Sequence, residues 1–156
     1  MDLSKNKNSS GWWWIVVAVV TYSLDRIIKL LVITRQIPET RIFDWLYINL
    51  RYNDGMAFGL GSGYGLLISL IGIIIFLYFL LQNWRDWLNN FGLNIGIGLV
   101  LGGAFSNIVD RLYYGGRVVD YLDFTFYSVL NLADIAIVVG LVVIVGLYWK
   151  LNPEGS

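Results

Sequence analysis

Four stretches of this chain, Trp12 to Ile33, about Tyr64 to Leu81, about Phe91 to Tyr113 and about Leu130 to Leu151, are each apolar over the roughly 20 residues that a helix needs to cross a bilayer. Hydrocarbon offers no partner to a bare N–H or C=O, so a spanning segment must satisfy its backbone internally, as a helix does. The expected fold is therefore an all-α membrane protein with four transmembrane helices, in one domain covering residues 1–156. Composition agrees: 57% of residues are hydrophobic and 14% charged, against about 25% charged in soluble domains. Trp12, Trp13 and Trp14, then Trp84 and Trp87, then Trp149 sit where the stretches end, as residues of an interfacial belt do. The first stretch is expected to stay in place rather than be cleaved as a leader. It is too long, it carries Asp25, Arg26 and Lys29, and no small-residue cleavage site follows it.

The connection from Thr34 to Gly63 is too long for a turn. Its run from Ile42 to Tyr52 is rich in aromatic and branched residues and leads to Asn53-Asp54-Gly55, a turn signal. It predicts a small antiparallel β segment at the membrane surface, because a sheet edge cannot face lipid. Gly92, Gly96, Gly98, Gly102 and Gly103 in the third span have the spacing that lets helices pack closely.

Eleven basic and eleven acidic residues cancel, which argues against nucleic acid as a partner. The chain has no cysteine and no histidine, so thiol nucleophiles, histidine triads and His/Cys metal sites are excluded. Glu39 and Glu154 lie in a loop and in the tail. Any chemistry is thereby left to Asp, Lys, Ser, Asn, Tyr or the backbone, with Glu nearly excluded.

Charges within spans cost about 2.5–3.5 kcal/mol each on insertion scales, so those that remain need a reason. Asp25 and Lys29 are four apart on one helix face and can pair, which is enough to account for them structurally. Asn131 and Asp134 point one way at the start of the fourth span. A helix cap and a favourable position in the helix dipole would explain them equally well. Capping alone does not explain why Asp25, Asp110, Asp120 and Asp134 all fall near the same end of three spans.

The blocks that carry these residues resemble the lipoprotein signal peptidases, or signal peptidase II, in order and over nearly the whole chain. They are Asp25 with Lys29, Asn53-Asp54-Gly55-Met56-Ala57-Phe58, Gly102 through Arg111, Val118-Val119-Asp120, and Asn131-Leu132-Ala133-Asp134. The resemblance implies an aspartic endopeptidase with Asp120 and Asp134 as its catalytic pair. It implies that Asn53, Gly103, Asn107, Arg111 and Asn131 bind substrate or support the pair, with Asp25, Lys29 and Asp110 in a surrounding polar shell. Arg26 stands where Gln is common, Met56 and Ser106 replace residues that are usually Ala and Gly, and Gly115-Gly116 adds one residue on the approach to Asp120.

The resemblance further implies a prolipoprotein partner, cut before a diacylglyceryl-modified cysteine, with no metal or cofactor and with the chain acting as a monomer among membrane lipids. It also implies the bacterial cytoplasmic (inner) membrane, with both termini cytoplasmic and the β segment exoplasmic. Loop charges give no clear orientation and lean slightly the other way. A second class of function, a small ion- or proton-coupled transporter, uses intramembrane carboxylates too. Its binding groups are expected at the midplane of an internal repeat, and no repeat is visible here.

Overall fold

The computed structural model describes residues 11–54, 63–83, 87 and 89–151. Gly55, Met56, Ala57 and Phe58 of the second block, Trp84, and both chain ends lie outside the described residues. The elements run in the order α1 (Trp13–Ile33), β1 (Thr40–Phe43), β2 (Leu46–Asn53), α2 (Gly65–Gln82), α3 (Phe91–Tyr113), β3 (Val118–Phe124), β4 (Val129–Leu130) and α4 (Leu132–Leu151).

Among the described residues, α2, α3 and α4 are long and apolar enough to cross a membrane. Helix α1 has 21 residues but carries Asp25, Arg26 and Lys29 in its second half. Its packing is inside-out. The buried residues are Thr21, Asp25, Lys29 and Val32, one stripe at helical spacing, whereas Ile15, Val19, Val20, Leu24, Ile27 and Leu30 are exposed. Helix α2 is apolar on all sides and buries only Gly65 and Leu80. Exposed apolar surface on this scale does not belong in water, and it suits hydrocarbon as the solvent.

Helix α3 is the centre of the bundle and packs on α1, α2 and α4. Glycine makes its two closest approaches feasible. A Cβ at Gly102 would lie 2.5 Å from the Ala18 carbonyl of α1, and one at Gly103 would lie 2.5 Å from the Ala133 carbonyl of α4. Backbone then meets backbone, the usual basis of tight association where lipid supplies no hydrophobic drive.

The sheet is larger than the sequence suggests. It has four antiparallel strands in the order β1-β2-β3-β4, and two of them come from residues beyond α3 rather than from the long first connection. Strand β3 shows little period-2 pattern because Val118, Val119, Asp120 and Tyr121 are all buried. The α3–β3 turn is built by glycine. Gly115 and Gly116 have φ of 63° and 93°, and Gly116 N–H donates to the Arg111 carbonyl at 2.7 Å. This is the left-handed C-terminal cap that ends many helices. The strand register beyond this turn is set by pairing: Arg51 faces Asp120 and Tyr47 faces Asp123.

Candidate active site

Helix α4 begins where three other elements converge. The Asn131 side chain accepts from Asp134 N–H at 2.9 Å, while the Asp134 carboxylate accepts from Asn131 N–H at 3.2 Å. This is a reciprocal capping box, so the capping explanation of these residues holds. It does not exhaust them. The Asn131 amide also donates to Asp120 Oδ1 at 2.7 Å, and it lies within 3.2 Å of Asn107 Oδ1. One side chain thus caps the helix that carries Asp134 and binds the strand residue Asp120.

Asp120 receives a second hydrogen bond, from Asn53 of β2 at 3.0 Å on Oδ2. Asp134 receives one from Asn107 of α3 at 2.8 Å on Oδ1. Burial, together with the charge of Asp134, pushes the Asp120 carboxyl up to about 7, although the Asn53 and Asn131 donors pull the other way. The second carboxylate of β3, Asp123, occupies other surroundings. It pairs opposite Tyr47 and accepts from Asn49 at 2.9 Å. The step from Asp120 to Asp123 is odd, so alternation along the strand turns the two side chains to opposite faces.

Behind the pair lies a buried ionic cluster. Lys29 Nζ is 2.7 Å from Asp25 Oδ2, 2.7 Å from Asp110 Oδ2 and 3.1 Å from Asn107 Oδ1. Arg26 also pairs with Asp110. Two cations therefore balance two anions, which is what makes such a cluster tolerable in a low-dielectric interior. Arg111, from the last turn of α3, donates to the Asn107 carbonyl at 3.4 Å, and its guanidinium packs on Gly65, where a Cβ would lie 2.8 Å from Nε.

The residues singled out from the sequence thus belong to one assembly. Gly103 takes part through backbone packing, since it lets α3 approach the first turn of α4. Gly103→Ala should separate them, with an overpacking cost of about 1–3 kcal/mol. Thermal unfolding in detergent, alongside a cleavage assay, checks this, and the expected result is a lowered Tm with a large loss of activity.

Sequence reasoning missed three contributors. Ser106 donates to Asp25 at 2.6 Å, Arg26 joins Asp110, and the Tyr121 hydroxyl accepts from Leu132 N–H at 3.1 Å. The first two positions stand out only as departures from the family pattern, and nothing local marks the third.

Asp120 and Asp134 line a cavity of about 720 Å³ between α2, α3 and α4. Asn53, Asn107 and Arg111 share its polar part, and branched side chains such as Ile73, Val100 and Val138 form its apolar walls. A site of this kind suits a ligand with a long apolar portion and a polar group to be acted on.

The family model described as signal peptidase (SPase) II matches residues 17–150. A lipoprotein signal peptidase of Streptomyces griseus is 37% identical over 151 residues, covering 90% of this chain and 75% of that protein. One from Halothermothrix orenii is 31% identical, covering 90% and 97%. Among solved structures, a bacterial membrane enzyme determined by the in meso method at 2.3 Å resolution is similar over 92% of this chain and 90% of its own, with a TM-score of 0.75 and 26% identity. The chain belongs to the signal peptidase II family, the lipoprotein signal peptidases, and is a membrane peptidase.

Proposed function

We propose that this chain is an aspartic endopeptidase that removes the signal peptide of prolipoproteins, cutting before a diacylglyceryl-modified cysteine, with Asp120 and Asp134 as the catalytic pair. The observation that carries the reading is that two aspartates from different elements, one buried and one half-buried, are bound by one residue, Asn131, and line the same largely apolar cavity. Two such carboxyls cannot both ionise cheaply, so they share a proton and titrate as a unit. With Asp120 raised to about 7, the singly protonated pair persists near neutral pH.

In this mechanism the ionised member takes a proton from a water, whose oxygen attacks the scissile carbonyl carbon. The protonated member donates to the carbonyl oxygen as the tetrahedral intermediate forms. Collapse of the intermediate breaks the C–N bond, and the aspartate that took the proton from water passes it to the leaving amine of the cysteine. The other aspartate recovers its proton from the intermediate's hydroxyl, which restores the singly protonated pair. Asn53, Asn107 and Asn131 hold the carboxyls in place, and Arg111 faces the substrate backbone from the cavity wall. Every group needed comes from one chain, in keeping with a monomer and a single domain.

Helix α1 serves as a fourth span. Its charges meet partners from α3 within the bundle, so its outer face is apolar and fit for lipid. With four spans the termini share a side, which is cytoplasmic, and the sheet is exoplasmic. The exposed Phe43–Trp45 stack, continued by Phe124, then lies at the headgroup level, where aromatic rings are favoured and where a diacylglyceryl cysteine is anchored. A reporter fused at the C-terminus checks the arrangement: it should register cytoplasm, and an exoplasmic signal would overturn both the orientation and this route for substrate.

A further inference from the structure

The buried ions do more than neutralise one another. Asp25 Oδ1 accepts from Ala133 N–H at 3.1 Å, and Ala133 immediately precedes Asp134. Asp110 Oδ2 accepts from Val119 N–H at 3.1 Å, and Val119 immediately precedes Asp120. Each shell carboxylate therefore grips the backbone one residue before a member of the catalytic pair. The first grip fixes the start of α4 and the second fixes β3. An ammonium has three donors, and Lys29 directs them at Asp25, at Asp110 and at Asn107 Oδ1. With its oxygen so engaged, Asn107 turns its NH₂ group to Asp134.

We infer that Asp25 and Asp110, joined through Lys29, are positioning residues that set the separation and orientation of Asp120 and Asp134. This rests on the reading of those two as the catalytic pair. The remaining groups fit the role. Ser106 donates to Asp25 Oδ2 and Arg26 pairs with Asp110 Oδ1, so each shell carboxylate is held on both oxygens and cannot swing away from its N–H. All three central groups are fully buried, which keeps water from competing for these bonds. A purely stabilising ion cluster would not need its two anions directed at equivalent positions next to the two catalytic residues.

The test measures cleavage by Asp25→Asn, Asp110→Asn and the double variant, purified in detergent, with kcat, KM and Tm determined for each folded protein. Asp120→Asn and Asp134→Asn serve as references. Because misplacement of a reacting group by about 1 Å can cost roughly 10²-fold, each single variant should lose kcat on that scale with KM little changed. The double variant should lose about as much as the worse single one, since residues that serve one unit are not additive. Where an Asn variant fails to fold, Asp25→Glu or Asp110→Glu keeps the charge balance while displacing the grip, and it should lose kcat in the same way. Wild-type kcat in the shell variants, or kcat losses that multiply in the double, would overturn the positioning role. Full activity in Asp120→Asn or Asp134→Asn would instead overturn the catalytic pair itself.

Discussion

Asp120→Asn and Asp134→Asn should each reduce prolipoprotein cleavage by roughly 10³-fold or more while leaving the protein folded, because an amide can neither act as base nor share the proton. Shape is nearly conserved in both exchanges. Asn131 can still cap α4, and the apolar packing around the carboxyls is unchanged. Asp123→Asn is the matched control. It lies on the same strand but on the other face, against Asn49, and should cleave at close to the wild-type rate. Single-turnover cleavage of a lipidated precursor checks all three. An inactive Asp123→Asn beside an active Asp120→Asn would mean that the strand presents its other face to the substrate.

The pH dependence should be nearly as large. In the proposed mechanism cleavage requires one proton on the pair, so activity should fall at low pH, when both carboxyls are protonated, and again as pH rises through about 7, where Asp120 is poised. Stability should follow the same group. The folded-state pKa of Asp120 is raised above the ordinary 3.8, so the folded protein binds the proton more tightly than the unfolded chain does. Its stabilising contribution is full below about 4 and is lost as pH rises through about 7. Tm should accordingly be higher at about pH 5 than at about pH 8, and Asp120→Asn, which has no such charge to bury, should flatten that slope. An unchanged slope in Asp120→Asn would show that another group governs it.

Much of this architecture is legible in the sequence, for identifiable reasons. The apolar runs of α2, α3 and α4 read directly as helices, because hydrocarbon leaves the backbone no other choice. In α1 the Asp25–Lys29 spacing marks a polar stripe, which the fold turns inward. The β1–β2 portion shows in its aromatic and branched residues. Strands β3 and β4 do not show, because the first half of β3 is buried on both faces and its partners lie in β2, far away in sequence. The site divides similarly. Motif blocks single out its residues, yet spacing cannot say that Asn131 both caps α4 and binds Asp120, nor that Asp25 and Asp110 reach the amides of Ala133 and Val119. Such contacts join residues 108 and 9 positions apart, and only the packing of α1 against the start of α4, and of α3 against β3, brings them into being.

An aspartate pair also accounts for peptidase chemistry in a chain that has neither cysteine nor histidine. The decisive experiment is cleavage of a purified prolipoprotein, with and without diacylglyceryl on its cysteine, by the purified protein in detergent, with the products identified by mass. A free signal peptide and a product beginning at the lipidated cysteine should be formed by the wild-type chain and by neither Asp120→Asn nor Asp134→Asn. Cleavage that survives either substitution in the folded protein would refute the catalytic pair.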